Sequence, residues 1–233
     1  MPVVINNLAK YIDHTLLKPD ATKQELHQLC AEASEHGFYS VCINGSRVQD
    51  AVELLKASSK VKVCAVIGFP LGACSTHIKV AEARDVISNG ADEIDMVMNV
   101  GKFKDGHSTG DYDYVFQDIK AVVDLAHEKN ILVKVILETC LLERENEIEN
   151  ACILCVRAGA DFVKTSTGFN KTGATLEAIA RMKKAVGDKA FIKAAGGIRN
   201  HQTAVDFIKA GANRLGCSSS VAIIKGEESS GKY

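Results

Sequence analysis

Tryptophan is absent from this 233-residue chain, aromatic residues make up 6%, and there are three prolines. So few rings argue against a stacking platform for single-stranded nucleic acid. Neither sign of charge is in surplus: 28 basic residues are interspersed with 29 acidic ones, for a net charge of −1. That balance excludes the basic footprint of a nucleic-acid binder and gives no attraction to anionic membranes. A small neutral or anionic ligand fits better. No apolar run reaches the roughly 18 residues that a membrane span needs. The amino terminus, Met1-Pro2-Val3-Val4-Ile5-Asn6-Asn7, lacks the basic segment of a secretory signal. A cytosolic protein is expected. No Pro/Ser-rich linker interrupts the chain, so residues 1–233 are read as one domain with a flexible polar tail over 226–233.

The eight cysteines lie in apolar runs (Cys42, Cys64, Cys217) and helical patterns (Cys30, Cys152), where reduced, small hydrophobic side chains are the default. Cys152-Ile153-Leu154-Cys155 has redox or zinc spacing but no second ligand pair, and reads as core filler. The seven histidines are scattered, without a matched set of other ligands, so neither a metal nor another cofactor is expected.

What the chain does have is alternation. Apolar, β-branched runs at 11–16, 40–44, 61–69, 93–100, 132–139, 161–167, 190–195 and 213–217 read as eight strands. Their near-continuous hydrophobicity fits a parallel sheet covered on both faces. Amphipathic stretches separate them, beginning with a capping box at Thr22 and Glu25 and a stop at Gly37. Further helices are expected at 76–89, 111–129, 143–158, 176–186 and 200–210, with a weaker one at 47–57. Asn89-Gly90-Ala91-Asp92, Ala158-Gly159-Ala160-Asp161 and Ala210-Gly211-Ala212-Asn213 are copies of one helix-to-strand joint. Together these features predict a single (β/α)8 barrel. A doubly wound open sheet is the alternative, although no G-x-G-x-x-G follows the first strand.

Three charges intrude on these apolar strands: Asp95, Lys164 and Lys193. Barrel active sites lie at the carboxyl ends of the strands, so all three are expected to face the mouth. An ammonium withdrawn from water and placed beside another cation tends to lose its proton, and a neutral amine can attack a carbonyl to form a Schiff base. Composition and spacing leave open which lysine attacks. Asp95 is the candidate general acid and base, with an ion-pair partner as its plainer role. Lys134 and Glu138, four residues apart, are read as charge balance behind this set. Gly196-Gly197 and Gly216-Cys217-Ser218-Ser219, after the seventh and eighth strands, let backbone N–H groups approach an anion and form a candidate phosphate cradle, to which Gly168 adds a further donor. Turn glycines and a serine cap are the plainer alternative.

With these residues placed, the chain resembles the deoxyribose-phosphate aldolase family from Tyr11-Ile12-Asp13-His14-Thr15 to Ser218-Ser219. Six motifs carry the likeness: Ser40–Asn44, Val66–Pro70, Glu93–Val97, Lys134–Thr139, Phe162–Gly168 and Lys193–Arg199. The resemblance implies a metal-free class I aldolase that reversibly cleaves 2-deoxy-D-ribose 5-phosphate to acetaldehyde and D-glyceraldehyde 3-phosphate, in deoxyribonucleotide catabolism. It further implies Lys164 as the Schiff-base lysine, Lys193 as the neighbour that tunes it and Asp95 as proton shuttle. Phosphate would be held at Gly168, Gly196, Gly197, Ser218 and Ser219, and the assembly would be a homodimer. Cys42 falls where family members carry a thiol near the site, and Tyr233 would reach over the mouth. Phe169 stands where some members have lysine. Another Schiff-base barrel, or a non-catalytic sugar-phosphate binder, would share much of this pattern.

Overall fold

The computed structural model describes residues 5–56 and 60–227. Eight parallel strands close a barrel in sequence order: β1 (Ile12–Leu16), β2 (Ser40–Asn44), β3 (Lys62–Ile67), β4 (Glu93–Val97), β5 (Leu132–Ile136), β6 (Phe162–Lys164), β7 (Phe191–Ala195) and β8 (Arg214–Cys217). Helices α1 (Lys23–His36), α2 (Val48–Leu55), α3 (Thr76–Ser88), α4 (Val100–Thr109), α5 (Asp113–His127), α6 (Glu147–Arg157), α7 (Leu176–Val186), α8 (His201–Lys209) and α9 (Ser220–Lys225) surround it. The barrel is the one the alternation predicts, and the open sheet is excluded. Outward strand residues such as Val41, Ile94, Val135 and Val163 bury completely against the helical ring, which is why the strands read as continuous apolar runs.

Both signals expected at α1 are present. Thr22 accepts from the Glu25 amide while the Glu25 carboxylate accepts from the Thr22 amide, and Gly37 closes the helix in the left-handed region. The repeated joint has a physical function. Gly90, Gly159 and Gly211 all have positive φ, and the next residue but one locks onto the start of the preceding strand. Asp92, Asp161 and Asn213 each donate a backbone N–H to a strand carbonyl (Val63, Val133 and Ile192), and each side chain accepts the N–H of that same residue.

Several boundaries differ from expectation. The fourth strand ends at Val97 instead of Val100, because Asn99 caps a helix by accepting from the Lys102 amide, and Val100 opens α4. Two glycines in α4 weaken its helical signature, which is why the sequence does not announce it. The third, fifth and sixth strands also stop short, at Ile67, Ile136 and Lys164; the residues beyond them shape the loops of the mouth. Gly226 ends α9 with a left-handed cap, and the Glu227 amide donates to the Ala222 carbonyl. Tyr233 and the rest of the expected tail lie outside the described residues. Cys152 and Cys155 are buried on α6 with free thiols, and burial pushes both upward in pKa.

Candidate active site

Asp95 stands at the centre of the barrel, fully buried, with three ammonium groups on its two oxygens. Lys164 lies 2.7 Å and Lys193 2.8 Å from Oδ2, and Lys134 lies 3.0 Å from Oδ1. Strand register explains the convergence: Asp95 pairs with Lys134 across β4 and β5, and Lys164 with Lys193 across β6 and β7. The three charges singled out in the sequence therefore meet. Lys134 was expected behind them and is instead a direct partner of Asp95.

A closed circuit of ion pairs underlies this cluster. From Asp95 it runs through Lys193 to Asp13, where the 2.5 Å approach is ionic rather than an aligned hydrogen bond. Arg214 bridges Asp13 at 2.8 Å and Glu93 at 3.3 Å, and Lys134 joins Glu93 at 2.5 Å before returning to Asp95. The Arg214 guanidinium also stacks 3.4 Å from the centroid of the Tyr39 ring. Asp13, Glu93 and Asp95 thus alternate with Lys193, Arg214 and Lys134, and their six charges cancel. Lys164 is the seventh charge, attached to the circuit through Asp95.

The electrostatics follow from this wiring. Burial pushes the Asp95 carboxyl up, but Lys134, Lys164 and Lys193 outweigh it and hold the group well below the usual carboxylate range. Burial would strip Lys193 of its proton; Asp13 and Asp95 reverse that and raise its pKa, so it stays an ammonium. The same balance, with Asp95 prominent, raises Lys134 well above the ordinary value. Cys42, Cys64 and Asp95 offer ligand atoms within 4.8 Å of one another, yet the ammoniums on the same carboxylate oppose a metal cation there.

Above the circuit a cavity of about 160 Å³ opens at the carboxyl ends of the strands. Of the three amines on Asp95, Lys164 lines it, whereas Lys134 and Lys193 are wholly enclosed. All five candidate phosphate residues, Gly168, Gly196, Gly197, Ser218 and Ser219, lie in its wall. Gly168, Gly196 and Gly197 adopt positive φ. Close packing also fixes glycine elsewhere. A Cβ on Gly173 would stand 2.1 Å from the Gly196 carbonyl oxygen, and one on Gly216 would meet Lys193 Cε at 3.2 Å.

Glu138 also departs from expectation. It lies beyond the end of β5 with φ of 56°, and its carboxylate accepts from the Thr167 amide and hydroxyl and from Asn170 Nδ2. It braces the turn that carries Thr167 and Gly168 instead of balancing lysine charge. Cys42 is buried 3.9 Å from Asp95 Oδ2, outside the cavity wall. Phe169 meets Phe69 edge-on at 5.2 Å, so an aromatic pair stands next to Gly168 of the cavity wall. Asp13, Glu93 and Arg214 are the members of the circuit that the sequence does not single out. Each is a charged residue within a strand, on the inward face by period-two counting, and that was their available signal.

Comparison with known proteins gives one answer. A family model described as DeoC/LacD family aldolase matches residues 7–225. Deoxyribose-phosphate aldolase of Thermococcus gammatolerans is 56% identical over 94% of this chain and 96% of its own length. That of Brevibacillus brevis is 56% identical over 97% of this chain and 98% of its own. The tetrameric deoxyribose phosphate aldolase structure from Aeropyrum pernix superposes with a TM-score of 0.82 at 35% identity, over 94% of this chain and 89% of its own. A full-length match of this kind, joined to a barrel with a lysine at the floor of its mouth, leaves one conclusion: the chain belongs to the DeoC/LacD aldolase family.

Proposed function

We propose that this aldolase cleaves 2-deoxy-D-ribose 5-phosphate reversibly to acetaldehyde and D-glyceraldehyde 3-phosphate through a Schiff base on Lys164. The observation that carries the assignment is access. Three lysines share Asp95, and Lys164 is the one that lines the cavity. Charge supports the same choice: loss of one proton from Lys164 leaves three carboxylates facing three cations, whereas loss from Lys193 or Lys134 would break the circuit.

The Lys164 amine attacks the C1 aldehyde of the open-chain sugar to give a carbinolamine, which loses water to form the imine. Ionised Asp95, 2.7 Å from the amine, accepts and returns protons directly or through a water. Its depressed pKa keeps it ionised, so it is available as a proton acceptor although a weak base, and it gives an accepted proton back readily. Removal of the C3 hydroxyl proton breaks the C2–C3 bond, and the electron pair passes into an enamine while glyceraldehyde 3-phosphate departs. Protonation at C2 and hydrolysis release acetaldehyde and restore the amine. Lys193 remains charged beside the imine, and the glycine turns with Ser218 and Ser219 receive the phosphate.

Incubation with deoxyribose 5-phosphate and an NADH-coupled alcohol dehydrogenase is predicted to show acetaldehyde release; no release would refute the proposal. Ser219→Asp is expected to raise KM at least about tenfold by charge repulsion with little change in fold. A parent KM in that variant would place the phosphate elsewhere. Cytoplasmic residence and a homodimer complete the proposal. Among the described residues no helix is long and apolar enough to cross a membrane. Sedimentation equilibrium separates the dimer from a tetramer like that named for the Aeropyrum pernix relative.

A further inference from the structure

A second polar chain approaches the mouth from outside the barrel. His14 follows Asp13 in β1 and therefore faces the helical ring, away from the ammonium cluster. Its Nε2 lies 2.7 Å from Glu32 Oε2 on α1, and its Nδ1 lies 2.9 Å from Ser220 Oγ at the start of α9. Ser220 Oγ also donates to the Cys217 carbonyl at 2.9 Å. His14 and Ser220 are buried, Glu32 reaches the surface, and the imidazole packs 5.0 Å from the Phe38 ring. Cys217 is at once the register partner of His14 and part of the cavity wall.

The order carboxylate, imidazole, hydroxyl also occurs in serine hydrolases. Here Ser220 is fully enclosed, lies outside the cavity wall and gives its hydroxyl proton to a carbonyl, so no substrate can reach it. The chain instead joins three elements. It ties α1 and β1 to the Gly216–Ser219 turn by fixing the carbonyl of Cys217, one residue before Ser218.

We propose that Glu32, His14 and Ser220 are positioning residues that hold the Gly216–Ser219 turn in the conformation that receives the substrate phosphate. The proposal rests on the reading of that turn as the phosphate cradle. Residues that act this way affect recognition of the phosphate and leave the imine chemistry on Lys164 alone. The effect therefore falls on KM and only for phosphorylated substrate.

Steady-state kinetics with deoxyribose 5-phosphate and with unphosphorylated deoxyribose test this directly. Ser220→Ala is expected to raise KM for the phosphorylated sugar about five- to tenfold, with kcat and the kcat/KM for deoxyribose within about twofold of the parent. Glu32→Gln, a change near the surface that retains an oxygen acceptor for the imidazole, shifts KM in the same direction by a smaller factor. Equal losses on both substrates, or parent KM values in both variants, overturn the proposal. Ser219→Asp separates the two layers of argument. If it raises KM while Ser220→Ala and Glu32→Gln do not, the positioning role fails and the cradle stands. If Ser219→Asp leaves KM at the parent value, the cradle fails and the positioning role falls with it.

Discussion

At the scale of single residues, the site depends on atoms that are missing as much as on those present. Gly216 leaves a gap through which the Lys193 side chain passes: an added Cβ would stand 3.0 Å from Ala195 Cβ and 3.2 Å from Lys193 Cε. Gly216→Ala is therefore expected to displace Lys193 from Asp95 and lower kcat by about tenfold or more, with the circular dichroism spectrum retained. Parent kcat would show that the circuit tolerates the shift. The convergence of Asp95, Lys164 and Lys193 was legible in the sequence because charges are rare inside apolar strands. Arg214 and Asp13 were not, since each lies near a strand end, where a charge also suits a solvated loop. Only closure of the barrel brings Asp13 of the first strand beside Arg214 of the last. Lys134 was noticed but misplaced, because spacing along one strand does not say which neighbour presents a carboxylate.

At the scale of elements, local signals were read best where one residue type has one physical task. The three Gly-Ala joints declared themselves through glycine's left-handed conformation and through the carboxylate or amide that follows. Asp161 shows their worth: its Oδ2 accepts from the Val133 amide at 2.8 Å and from His127 Nε2 at 2.9 Å. Asp161→Ala leaves the buried Val133 amide without its side-chain acceptor and is expected to cost about 1–3 kcal/mol in urea unfolding. A loss below about 0.5 kcal/mol would make the joint a backbone device alone. Strand ends were read worst. Periodicity carries apolar residues past the last ladder bond, and Asn99 gives no warning that its cap turns Val100 into helix.

At the scale of the whole molecule, the barrel encloses a circuit whose charges must all be present together. Asp13 and Asp95 have folded-state pKa values depressed below the usual carboxylate range, so their contribution to stability is complete above about pH 4 and is lost as pH falls toward the depressed values. Lys134 and Lys193 are raised above the ordinary lysine value of about 10.4, so theirs is complete below that pH and is lost as pH rises through the raised values. Melting temperature is therefore expected to hold level across the neutral range, with the circuit's contribution falling away at both extremes. A decline centred near pH 6 to 7 would assign control of stability to a histidine such as His14 instead. Buried ion pairs of this kind give little net stability over apolar packing, but removing one partner strands the others. The barrel itself was legible from eight apolar runs, since most strand residues on both faces are apolar, with the circuit and a few polar residues such as His14 and Ser40 as the exceptions.

Lys164, among three lysines on one carboxylate, is the residue proposed to carry the covalent intermediate. Borohydride reduction in the presence of acetaldehyde, followed by peptide mass mapping, identifies the lysine that forms the imine. The parent is predicted to gain one ethyl group on Lys164, Lys164→Ala to gain none at any site in the barrel, and Lys193→Leu to lose most of its turnover while still accumulating the ethyl group on Lys164 slowly at alkaline pH. Ethylation of Lys193 or Lys134, or trapping in Lys164→Ala at the parent rate, would contradict the account.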